Sequence, residues 1–149
     1  MATLKQIETF MASQPIAIAG VSRNPQKFGH AVFKELKEKG LNVIPVNPTE
    51  KEILGAKTFA DIKSLPSDVG GVVIVTKKSK TASLVREARE KGIKNIWIQQ
   101  SSDTPEALKE LEGSDINTIT GECILMYHKP HGFHKFHRAI KKLFGSYPK

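Results

Sequence analysis

The run "IAIAGVSRNPQKFG", residues 16–29, carries the residue types that could hold a phosphate ester. Gly20 lets the backbone turn sharply or approach a ligand closely. Ser22 and Asn24 supply neutral donors, and Pro25 stiffens the segment. Arg23 and Lys27 supply charge that can reach a pyrophosphate. Phe28 starts a helical pattern, and Gly29 in its first turn opens space beside N–H groups whose dipole already favours an anion. The expected chemistry is binding rather than bond-making. The candidate loops hold no nucleophile–base pair and no paired carboxylates at a useful spacing, so no catalytic residue is assigned.

The elements that position this loop follow from periodicity and breaker residues. Apolar runs at "PIAIAGV" (15–21), "NVIPVN" (42–47), "GVVIVT" (71–76), "NIWIQ" (95–99) and "INTIT" (116–120) predict five strands. Helical patterns predict helices over Thr3–Met11, Phe28–Lys39 and Ser79–Lys91, one starting at Thr104 with Pro105 in its first position, and one over Gly132–Phe144. Thr58–Leu65 reads as one or two helical turns. Alternation of strands and helices implies a parallel sheet with right-handed crossovers. Strands apolar on both faces imply helices on both sides. The expected fold is α/β and doubly wound, with a mostly parallel five-stranded sheet in a single domain.

In such a sheet ligands bind beyond the carboxyl ends of the strands, where strand order reverses. That rule selects "SRNPQKFG", "PTEKE", "KKSK" and "QSSD". The dinucleotide fingerprint is missing, because Ser22 stands where its second glycine would be. Asn47 stands where an NAD site wants a carboxylate. An NAD(P) site is therefore the weaker expectation, and a P-loop has no matching motif.

"AIAGVSRNPQKFGHAVFKELKEKGLNVIPVNP" resembles the coenzyme A–binding protein family, stand-alone Rossmann-like domains related to the CoA-binding domain of the succinyl-CoA synthetase alpha subunit. The matching positions are Gly20, Ser22, Pro25, Lys27 and Gly29, then Pro45, Val46, Asn47 and Pro48. "EILGAKTFADIKSLP" and "IWIQ" also look like the family's later segments, and Cys123 falls where its members often carry Cys. The loop "QQSSDTPEA" departs from the glycine-containing turn usual there. The resemblance implies CoA or an acyl-CoA as ligand, with Asn47 and Pro48 flanking the nucleotide end. The expected binding set is Gly20, Val21, Ser22, Arg23, Asn24, Lys27, Phe28 and Gly29, then Asn47 and Pro48, then Thr76, Lys77 and Lys78. His30 reads as a surface histidine with ligand contact as the alternative, and Cys123 as a buried, inert thiol with a mixed disulfide to the thiol end of CoA as the alternative.

Composition bounds the remaining partners. The 149 residues carry a net charge of +8, and the excess is uneven: 127–149 hold six Lys or Arg and no acid. The expected organisation is a binding domain over 1–126 and a basic, His-rich helix over 127–149 packed on it. His128, His131, His134 and His137 recur every third residue. Steps of three spread side chains around a helix, and zinc pairs use a spacing of four with a carboxylate nearby, so no metal is expected. Nucleic acid is a weaker reading of the same charge, and a homodimer is a possible packing partner. One cysteine, the absence of a signal pattern and the lack of a long apolar run lead to a cytoplasmic expectation.

Overall fold

The computed structural model describes residues 2–127. Helix α1 (Leu4–Met11) is followed by strand β1 (Ile16–Ala19), helix α2 (Phe28–Glu38) and strand β2 (Val43–Val46). Short strands β3 (Glu52–Ile53) and β4 (Ala56–Lys57) come next, then β5 (Gly71–Ile74) and helix α3 (Lys78–Lys91). Strand β6 (Asn95–Gln99), helix α4 (Pro105–Leu111) and strand β7 (Asn117–Glu122) lead into a 3-10 turn, Ile124–Met126. The histidine run and the predicted helix over Gly132–Phe144 lie outside the described residues.

Five strands pair in parallel in the order β2-β1-β5-β6-β7. Strand order reverses at β1, which puts a crevice at the carboxyl ends of β1 and β5. Ala19 sits level with Val46 on one side and Ile74 on the other, so the strand tips end together. The doubly wound α/β reading holds.

Alternation along each strand divides the core into two layers. Ile16 and Ile18 face α1 and α2, packing with Phe10, Phe33 and Trp97. The Phe10 and Trp97 rings meet edge to face at 5.3 Å. Ala17 and Ala19 face the other way, toward Ile62, Val85 and Ala107. Trp97 Nε1 donates to the Glu122 carbonyl at 3.0 Å, so the largest core side chain keeps its polar atom paired.

Two segments depart from the sequence expectation. Thr58–Leu65 forms no helix. Phe59 instead extends the edge of β2: its N–H donates to the Pro45 carbonyl at 3.1 Å, and its carbonyl accepts from Asn47 N–H at 2.9 Å. Backbone groups used by a sheet edge cannot serve a helix. The β3–β4 hairpin was not anticipated. Its turn places Leu54 (φ 50°) and Gly55 (φ 78°) both at positive φ, the geometry of a tight two-residue hairpin turn.

Candidate functional site

The loop from β1 to α2 is braced from inside. Ser22 Oγ accepts from Asn24 N–H at 3.0 Å, and Asn24 Oδ1 accepts from Gln26 N–H at 2.9 Å. The sequence reading gave both side chains to a ligand as donors; their oxygens also shape the loop, as acceptors. His30 is buried, and its Nδ1 donates to the Ser22 carbonyl at 2.8 Å. It is not a surface residue, and this bond turns its ring against the loop's own backbone.

Two glycines let the helix approach the strand tip. Gly20 has φ 103°, and a Cβ there would collide with the Val75 carbonyl. A Cβ on Gly29 would collide with the Gly20 carbonyl. Gly29 is thus required by close helix–strand packing, a reason different from the space for an anion that its position suggested.

Asn47 ties this loop to the next. Its Nδ2 donates to the Val21 carbonyl at 2.8 Å, while Oδ1 accepts from the N–H groups of Thr49 at 2.8 Å and Glu50 at 3.0 Å. An aspartate has no donor for Val21. The residue type that replaces an NAD-type carboxylate is therefore the one that can hold both loops.

A cavity of about 1060 Å³ opens at these strand tips, at the upper end of the usual range for ligand pockets. Gly20, Val21, Ser22, Lys27, Phe28 and Gly29 line it, with Asn47, Pro48, Thr76 and Lys77. Three expected residues do not line it. Arg23 is exposed at the loop's outside, 3.7 Å from Glu50. Asn24 stands in the turn, where its Oδ1 accepts from Gln26 N–H. Lys78 is exposed at the first position of α3, and one helical step of about 100° carries it away from the wall that Lys77 and Lys80 share.

Sequence reasoning missed the far wall, made by Gln99, Ser101, Ser102 and Cys123. The strand-tip rule selected the segment, but no residue in it was assigned. Ser101 adopts φ 74°, so the turn keeps a left-handed residue although no glycine stands there. Ser102 Oγ donates to the Thr76 carbonyl at 3.0 Å, and Thr81 Oγ1 donates to the Ser102 carbonyl at 2.6 Å. These bonds fasten the β6 loop to the β5 tip and to α3.

Helix ends supply the electrostatics. Helices α2 and α3 begin at the cavity with Lys27 and Lys77 as N-caps, and neither has a side-chain capping bond. Their first N–H groups and positive dipole ends therefore remain for a partner. Such an arrangement can bind an anion through neutral amide donors and flanking ammonium groups. Among the described residues, no three His, Cys, Asp or Glu side chains gather as metal ligands. No described helix is long and apolar enough to cross a membrane.

The chain is 38% identical over 93 residues to the alpha subunit of ADP-forming acetate–CoA ligase II of Pyrococcus furiosus, a match that takes in 62% of this chain and 20% of that subunit. This chain thus aligns with about a fifth of that subunit's length. It is 29% identical over 121 residues to the uncharacterized protein YneT of Bacillus subtilis, covering 81% of this chain and 90% of that protein. A solved structure of a hypothetical protein from Pyrococcus horikoshii superposes with a TM-score of 0.77 at 28% identity, covering 84% and 89% of the two chains. The family model for the CoA binding domain matches residues 14–129, from two residues before β1 to beyond the 3-10 turn, and the chain belongs to that family.

Proposed function

We propose that this chain binds coenzyme A or an acyl-CoA in the cavity at the strand tips, without catalysis of its own. The observation that carries the proposal is the pair of uncapped helix starts, α2 and α3, opening with Lys27 and Lys77 on one cavity. Bound CoA would supply a pyrophosphate and a ribose phosphate as anions and a long polar arm ending in a thiol. The N–H groups at the start of α2, with Lys27, suit the pyrophosphate. Lys77 and Lys80 on the α3 wall suit a second phosphate. Asn47 and Pro48 border the nucleotide end. No single exposed ion pair contributes more than about 1 kcal/mol, so affinity depends on several donors converging.

Binding without turnover fits the side chains at hand. The hydroxyls of Ser22 and Ser102 bond to backbone groups, not to a base. The relative that carries a ligase name is about five times longer than the matched region, and its activity belongs to that longer protein.

Calorimetry with CoA, dephospho-CoA, NADP and a short DNA duplex at two salt concentrations tests the proposal. CoA should bind, removal of the 3′-phosphate should weaken it, and NADP and duplex should not compete. NADP binding without CoA binding would overturn the reading, as would duplex binding with a steep salt slope and no CoA binding.

A further inference from the structure

The inner wall of the cavity holds a polar group that the phosphate account leaves unused. Gln99 is 2% exposed and lines the cavity at the tip of β6. Its Oε1 accepts from Ile124 N–H at 3.1 Å. An amide nitrogen cannot accept a hydrogen bond, so this contact fixes which way the amide faces. The nitrogen donates to none of the described residues and is left to the cavity. At the neighbouring tip, Thr76 Oγ1 is buried without a partner among the described residues. An unmet buried hydroxyl is costly, and together with the Gln99 amide nitrogen on the adjacent strand tip it marks a wall that a polar ligand group completes.

The chemistry of that group follows from its surroundings. Gln99 is neutral, and Ser102 and Cys123 beside it on the wall bring no cation. A neutral acceptor suits such a wall, whereas a phosphate is served by Lys27 and Lys77. Gln99 also stands two strands from β1, at about 10 Å by the spacing of paired strands. That separation places it past the pyrophosphate and along the arm.

We propose that Gln99 reads an amide carbonyl of the pantetheine arm, donating from Nε2 while Ile124 N–H holds its oxygen. The proposal rests on the CoA reading above. It makes Gln99 the residue that distinguishes CoA from nucleotides lacking the arm.

The test is calorimetry on the full chain with CoA and with 3′-phosphoadenosine 5′-diphosphate, which lacks the arm. Gln99→Glu keeps an acceptor for Ile124 and turns a carboxylate oxygen toward the carbonyl. Gln99→Met keeps the volume and removes the donor. Each should weaken CoA by about 10- to 100-fold and leave the armless nucleotide unchanged. Equal CoA affinity in a folded variant would overturn the proposal, and so would equal losses for both ligands. Should neither variant fold, the Gln99 side-chain amide signal of the parent decides by nuclear magnetic resonance. It should shift with CoA and stay fixed with the armless nucleotide; a signal that CoA leaves in place overturns the assignment. A parent that binds both ligands equally overturns the role of Gln99 alone. A parent that binds no CoA overturns the function on which it rests.

Discussion

The four described helices begin in two different ways. Helix α1 starts with a full capping box: Thr3 Oγ1 accepts from Gln6 N–H at 3.1 Å, and Gln6 Oε1 accepts from Thr3 N–H at 2.8 Å. Helix α4 starts with Thr104, whose hydroxyl accepts from Ala107 N–H at 3.0 Å. Helices α2 and α3 start with lysines that cap nothing, and both starts line the cavity. Where a helix end serves the fold alone, a threonine satisfies it. Where it borders the cavity, the amides are left bare and a cation stands beside them. Under the proposed function, the stability forgone at α2 and α3 serves ligand binding.

That contrast can be broken most severely at its glycines. Gly20→Val would place a branched side chain at φ 103° against the Val75 carbonyl. The strain of such a conformation alone is about 1–3 kcal/mol, and the collision adds to it. Urea unfolding should show a loss of several kcal/mol (about 3 or more) or no cooperative transition. Gly29→Ala should behave alike through the Gly20 carbonyl, losing stability and CoA binding together. Retention of parental stability in either would mean that α2 does not lie this close to β1.

Lysine substitutions sharpen the contrast. Lys27→Ala should weaken CoA by about 10-fold or more, as for loss of a hydrogen bond to a charged group, with the melting temperature unchanged. Lys27→Asp should go further: an aspartate at this position can cap α2 and add about 0.5–2 kcal/mol of stability while repelling the pyrophosphate. Calorimetry and thermal melting on the same samples would show affinity and stability moving in opposite directions. Affinity and stability falling together would contradict the contrast.

Thr104→Ala is the mirror experiment. Removing that cap should cost about 1 kcal/mol in urea unfolding and leave CoA affinity as in the parent. A change in CoA affinity would show that α4 reports to the cavity.

The smallest effect lies on the surface between α3 and α4. The Arg86 guanidinium, 2.6 Å away, holds the Glu110 carboxyl below its ordinary range. Because this pKa is lowered in the folded state, the pair's contribution is present above the ordinary glutamate pKa. It is lost as pH falls through the lowered value. Glu110→Gln should therefore flatten the acid limb of melting temperature against pH slightly, and added salt should shrink the difference. An unchanged acid limb would mean that the pair contributes nothing to folding.

Much of this architecture is legible from residue order because its signals are local. The strand at 95–99 is bounded by Gly92 and a polar loop, and Thr104–Pro105 announces the start of α4. What escaped depends on contacts between distant segments. Phe59 looks helical until β2 offers it an edge. The β3–β4 hairpin hid because Leu54 replaces the Asn or Asp that usually precedes glycine in such turns. Gly29 was correctly singled out, yet its reason, the Gly20 carbonyl, belongs to a three-dimensional approach. His30 was read as a surface residue and Gln99 was passed over for the same cause. The types of these residues are ordinary, and only the partner, Ser22 carbonyl or Ile124 N–H, gives each a role.

A crystal structure of the full chain grown with CoA tests the central claim most directly. The account predicts the pyrophosphate within hydrogen-bond distance of the first N–H groups of α2, with the Lys27 ammonium beside it. A pyrophosphate seated elsewhere, with those amides facing solvent, would contradict it.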